Sequence, residues 1–137
     1  MKRVTDFVMF TIPGRAPIAF SSNSGTAHWA VKDKAAKEYA ERVVIAWLQS
    51  GYAVGQFGPW ERAHMTLIQR ACQLRDHDNF YSSFKPGQDA LTVKGHHNVG
   101  LLADDTPQVL SVTLKAERVR HRNEESVGVR VERLPSS

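Results

Sequence analysis

The stretch AHMTLIQRACQLRDHDN, residues 63 to 79, decides how the rest of the chain is read. In its first half Met65 and Leu67 oppose Thr66 and Ile68, the two-residue period of a strand with one face buried. The β-branched Thr66 and Ile68 suit such a pleated surface. The strand runs toward Arg75-Asp76, so two carboxylates, Asp76 and Asp78, stand at a strand end. Asp78-Asn79 then offers an N-cap for a following helix, in which Phe80, Phe84 and Leu91 take related positions. Pro86-Gly87 predicts a kink or a restart of that helix, because proline lacks the amide hydrogen that an interior turn uses.

Upstream, Val8, Phe10 and Ile12 alternate with Met9 and Thr11 and stop at Pro13-Gly14, a first strand closed by a turn. A loop rich in Ser, Asn and Gly occupies residues 21 to 26. From about residue 33 to 49 the period becomes helical, with Ala36, Tyr39 or Ala40, Val43 and Trp47 on one face, Asp33 as cap and Gly51 as stop. Residues 51 to 59, with three glycines, read as a connection. Downstream, Leu110, Val112, Leu114 and Ala116 alternate with polar residues, a half-buried strand, and Val127, Val129 and Val131 give a last one. Residues 118 to 125 between them read as a polar, hairpin-like turn. The order strand, helix, strand, helix, strand, strand predicts an α+β fold: one domain over residues 1 to 134, a mixed sheet of four to five strands packed against helices, and a frayed tail at 135 to 137.

At 137 residues the chain is long enough for one domain with a core, and 42% hydrophobic with 23% charged residues is close to globular averages and suggests neither disorder nor a disulfide-stapled mini-fold. Cys72 is the only cysteine, which rules out an internal disulfide and favours a reducing compartment such as the cytoplasm. No apolar run approaches a membrane span. The net charge of +4 is compatible with a polyanionic partner and does not by itself identify one. The placing says more. Basic residues recur at Lys32, Lys34, Lys37 and Arg42, at Arg70 and Arg75, and at Arg118, Arg120 and Arg122, while aspartates stand at 76, 78, 104 and 105.

Asp76 and Asp78, two positions apart, point the same way in an extended segment and can grip one hard cation through oxygen. Such a pair is equally at home as a helix cap with a surface charge. Asp104-Asp105 precedes a strand, at an edge from which the side chains can return to the first pair. Four converging carboxylates repel one another unless cations or protons neutralise them, so their convergence predicts a metal, and magnesium suits an all-oxygen set completed by substrate phosphate. Lys85 lies one to two helical turns after Asp78 and is either a phosphate-facing ammonium or an ordinary solvated lysine. His96-His97 read as loop residues, since adjacent side chains diverge. Trp47 reads as core, and among the tryptophans only Trp29, beside His28, is entertained as a base-stacking residue.

Arg75-Asp76-His77-Asp78-Asn79, then Lys85 with Asp89-Ala90-Leu91, then Asp104-Asp105, resembles the signature of RusA-type Holliday-junction resolvases, carried mostly by phages and prophages. Ile12-Pro13, Asn23 in the loop, and the order of helix and strands fall in the same sequence as in that family. The resemblance implies a homodimer that nicks two opposed strands of a four-way DNA junction, in the cytoplasm of a bacterium or phage-infected cell. It implies Asp76, Asp78 and Asp105 as metal-binding acids, helped by Asp104, with Mg2+ or alternatively Mn2+. Lys85 matches the catalytic lysine, while Asn79 and Asp89 take supporting places. Arg70, Arg75, Lys32 and Lys34 are the expected DNA contacts. Three departures stand out: the span from Asn79 to Lys85 is about one helical turn longer than in the family's shortest members, residues 92 to 103 are also longer, and the arginine run that precedes the acids in some members is thinned here to Arg70 and Arg75. The rival expectations are a broader flap or structure-specific nuclease on the same fold, a DNA-binding module with vestigial acids, and a structural ion-binding protein.

Overall fold

In a computed structural model, which describes residues 6–17, 29–93 and 98–135, residues 63 to 79 become a central strand and the joint into a helix. Along β2 (Ala63–Ala71) every second residue is buried, Met65 and Leu67 among them, as the alternation requires. β1 (Phe7–Pro13) and α1 (Trp29–Gln49) precede it; α2 (His77–Ala90), β3 (Leu110–Arg118) and β4 (Ser126–Arg133) follow. The sheet order is β1-β4-β2-β3, with β3 parallel to β2 and β4 antiparallel to both β1 and β2. The chain is thus a single small α+β domain, a four-stranded mixed sheet with two helices, as the sequence predicts. No helix among the described residues is long and apolar enough to cross a membrane.

Val8, Phe10 and Ile12 of β1, Met65 and Leu67 of β2, and Val127, Val129 and Val131 of β4 form the inner face of the sheet, under α1 and α2. The other face carries Phe7 and Met9, about half exposed, with Arg130 laid over the Phe7 ring. The helices meet at Gly87, where a Cβ would stand 2.9 Å from Val43 Cγ2 and 3.1 Å from Tyr39 Cε2. Close approach needs that bare position, a packing role that the pattern of apolar residues did not disclose.

Several boundaries differ from expectation, each for a local reason. α1 starts at Trp29, so Asp33 lies inside it and pairs with Lys37 at 3.2 Å instead of capping it. Gly51 does end the helix: at φ +96° it lets its own amide bond Leu48 O and the Tyr52 amide bond Trp47 O, with the Tyr52 ring 4.7 Å from that of Trp47. α2 is capped by Asp76, not Asp78, and runs unbroken through Pro86, because packing against α1 on both sides of the proline outweighs one missing amide bond. Residues 118 to 125 do not close a hairpin: β4 lies between β1 and β2, so the chain passes over the end of β2 through a 3-10 turn at Arg122–Glu124. β3 is an edge strand in which only Leu110 is fully buried and Ala116 is exposed, so the expected half-burial holds for its first half. Asn23 and the 21 to 26 loop, His28, the His96-His97 pair and the last two residues lie outside the described residues, and the Trp29 side chain is not described.

Candidate nucleic-acid interface

The joint between β2 and α2 is held from inside the sheet. Gln69, almost wholly buried, accepts from the Arg75 amide at 2.6 Å and donates to the Arg75 carbonyl at 3.0 Å. One side chain thereby satisfies both main-chain groups of Arg75 and fixes the point where the chain turns into the helix. Asp76 follows with extended φ and ψ and caps α2: Oδ1 accepts from the Asn79 amide at 2.8 Å and Oδ2 from Asn79 Nδ2 at 3.0 Å. Asn79 thus supports Asp76, while His77 and Asp78 are exposed in the first turn.

Basic residues distant in the sequence gather at this end. Strand register places Pro13, Ser126 and Arg70 side by side, and Ala71 beside Arg118. Arg42 of α1 donates to the carbonyls of Pro13 and Arg15, so the first half of α1, with Lys32 and Lys34, extends toward the same end. Arg15 Nη2 donates to Gln73 O at 2.8 Å, and Arg75 Nη1 to Ser83 Oγ at 3.0 Å. Partial burial lowers the Arg75 pKa below its ordinary value, and the like charge of Arg15 lowers it further. Arg70 has another engagement: its Nε is 2.9 Å from Glu117 Oε1, and its guanidinium lies over Gly128 on the sheet face away from the helices. Lys34 is exposed and Lys32 half-buried. Arg15 was missed in the sequence because nothing in the Pro13-Gly14 turn indicates that the next side chain reaches back to the end of β2.

Asp104 and Asp105 are elsewhere. Leu110, the first residue of β3, pairs with Ala63, the first of β2, and the amide of Ala103 bonds Trp60 O. Asp105 therefore enters beside the start of β2, whereas Asp76 leaves from its finish. At about 3.3 Å per residue a nine-residue strand puts roughly 26 Å between those points. The expected convergence of Asp76, Asp78, Asp104 and Asp105 within one chain does not occur: among the described residues no group of three or more His, Cys, Asp or Glu is arranged to hold a metal ion. The donor set of one chain does not fit the expected magnesium. The reason is topological, since the unbroken α2 carries the chain back along β2 before β3 begins. Asp104 Oδ1 instead accepts from the Asp105 amide at 2.7 Å.

Lys85 shares an exposed face of α2 with Asp78, seven residues on, about 10 Å along the axis. Its ammonium lies 4.3 Å from the centre of the Tyr81 ring, a cation–π contact. Asp89 is exposed one turn further, and the two form no ion pair among the described residues, so Asp89 does not orient Lys85. Trp60 is buried and offers no ring to a base. No protein-family model matches the chain, and no curated protein matches it.

Proposed function

We propose that this chain is a metal-dependent endodeoxyribonuclease of the RusA type, which resolves four-way DNA junctions as a homodimer by hydrolysing phosphodiester bonds. One observation carries the reading: Arg75-Asp76-His77-Asp78-Asn79, Lys85, Asp89 and Asp104-Asp105 occur in the order of that family's signature, with the first five at a strand-to-helix joint on the basic end of the sheet. A helix start with basic side chains around it favours an anion, as a DNA backbone demands. A single cysteine accords with work in the cytoplasm.

The separation of the acids places a condition on the proposal. Asp76 and Asp78 of one copy meet Asp105 only if a second copy supplies it, so the homodimer becomes part of the reactive centre as well as a match to the junction's symmetry. A second reading, a DNA-binding module with vestigial acids, is favoured by the lack of a three-acid group among the described residues.

One set of incubations tests both. Purified protein is mixed with synthetic four-way junction, flap and plain duplex, in magnesium, manganese or chelator. The expected result is paired symmetric nicks on the junction, absent with chelator and absent in Asp78→Asn. Asp78→Asn and Asp105→Asn proteins, each inactive, are then mixed: a shared centre restores single nicks, because one of the two centres in each mixed dimer has both acids. Tight junction binding without cleavage in any metal establishes the binding module, and equal cleavage of flaps establishes the broader nuclease. Active wild type with silent mixed dimers removes the shared centre.

A further inference from the structure

Between the end of the sheet and the first turns of α2 lies a shallow cleft, open to solvent and lined by Arg15, Gln69, Arg75, Phe80 and Ser126. Two arginines line it from different directions, one from the turn after β1 and one from the joint before α2. Among the described residues each is anchored by a single neutral acceptor, Gln73 O for Arg15 and Ser83 Oγ for Arg75. Each therefore keeps unused donors of its five. Arg70 also lines the cleft, but its charge is engaged by Glu117. The carboxylate that acts on Arg75 is Glu125, whose Oε2 is already accepting from the Cys72 amide at 3.0 Å. Two like charges held near each other, with one carboxylate acting on Arg75, are an unfavourable arrangement in the free protein. An anion with several oxygens relieves it.

We infer that Arg15 and Arg75 form a seat for one phosphate group, bound through charge-assisted hydrogen bonds from both guanidiniums and the Ser126 hydroxyl. That the phosphate belongs to a nucleic-acid strand rests on the proposed function; the seat itself does not. In a bound strand this phosphate lies beside Asp76 and fixes where the backbone passes the first turn of α2. Because it touches no base, it sets position and affinity and leaves sequence preference alone.

The experiment compares wild type with Arg15→Gln, Arg75→Gln and, as an equal charge change at the opposite end of the sheet, Arg62→Gln. Binding of a fluorescent four-way junction and of plain duplex is followed by anisotropy over a range of salt. Arg15→Gln is expected to weaken binding to both DNAs about tenfold and to flatten the slope of log affinity against log salt by about one, the loss of one phosphate contact. Arg15→Lys keeps the charge, loses the fork, and falls between. Arg62→Gln leaves the slope unchanged. In parallel, inorganic phosphate at constant ionic strength is expected to raise the melting temperature of wild type and of Arg62→Gln, and not of Arg15→Gln or Arg75→Gln. Equal slopes for Arg15→Gln and wild type overturn a strand phosphate in the seat, and equal phosphate response overturns the seat. If wild type binds no nucleic acid and phosphate still separates the variants, the proposed function fails and a free phosphate compound occupies the seat.

Discussion

At the end of the sheet where β1 and β2 finish, Arg15, Arg42, Arg70 and Arg75 surround a polar joint organised by Gln69 and Asp76. At the end where β2 and β3 begin, Trp47, Tyr52, Phe57 and Trp60 stack ring against ring at 4.7 to 6.0 Å, and Leu101 and Leu102 are buried beneath the bonds that tie residues 98 to 103 to the end of α2. One end has charge held by few partners; the other has apolar surface and satisfied backbone. In a two-layer domain these tasks separate readily, because a side chain cannot both exclude water and offer itself to a charged ligand. The difference teaches that stability and binding reside in different residues here, and single substitutions can show it.

The largest effect is expected at the aromatic end. Trp60 is 3% exposed, and its ring lies 6.0 Å from that of Phe57. Trp60→Ala removes a buried ring and leaves a cavity, costing about 3–5 kcal/mol in urea unfolding. Under conditions where the variant is still folded, its junction affinity should match wild type. Lower affinity in the folded fraction would break the division of labour, since it would mean that the aromatic end also shapes the DNA surface.

The same division explains what could be read from the sequence. β2, with its strict alternation, and the presence of a helix after it were legible because periods of two and 3.6 are local properties, although the cap fell on Asp76 and not on Asp78. The relative placing of the acids was not. A break at Pro86 would leave the chain free to turn back toward Asp76, as a four-carboxylate pocket requires. As an unbroken helix of 14 residues, about 21 Å long, α2 returns the chain to the start of β2 and obliges β3 to run parallel. A residue just before β3 then stands at the far end from a residue just after β2. Arg15 was illegible for a related reason, since its partner, Gln73 O, is set by how the ends of β1 and β2 align, and Gln69 because no periodic pattern shows its side chain turning to the Arg75 backbone six residues on.

A medium effect sharpens the role of Asp76, at the basic end. Its carboxylate oxygens both serve Asn79, which is a structural task, while the proposed function gives it a second one. Asparagine caps helices about as well as aspartate, and alanine does not. Asp76→Ala should therefore cost about 1 kcal/mol in urea unfolding, and Asp76→Asn close to nothing. In the cleavage assay, both should be inactive if the carboxylate charge is needed. An active Asp76→Asn protein would reduce Asp76 to a cap and move the reactive acids to Asp78 and its partners.

The smallest effect lies where the two regions meet. Tyr39 is fully buried between α1 and α2, edge-on to Phe84, and its hydroxyl has no hydrogen-bond partner among the described residues. Burial pushes the phenol pKa far above its ordinary value, against the pull of Arg42 and Arg75. A buried hydroxyl without a partner contributes a desolvation cost and no bond, so Tyr39→Phe should leave urea stability unchanged or raise it by up to about 1 kcal/mol. Its effect on binding is the finer test. The hydroxyl is close enough to feel the charge of Arg75, one of the two donors of the phosphate seat, yet it is not among the residues that line the cleft. Unchanged junction affinity in Tyr39→Phe sets the inner boundary of the basic end at Arg75. A loss of affinity with stability intact would extend that end into the helix interface.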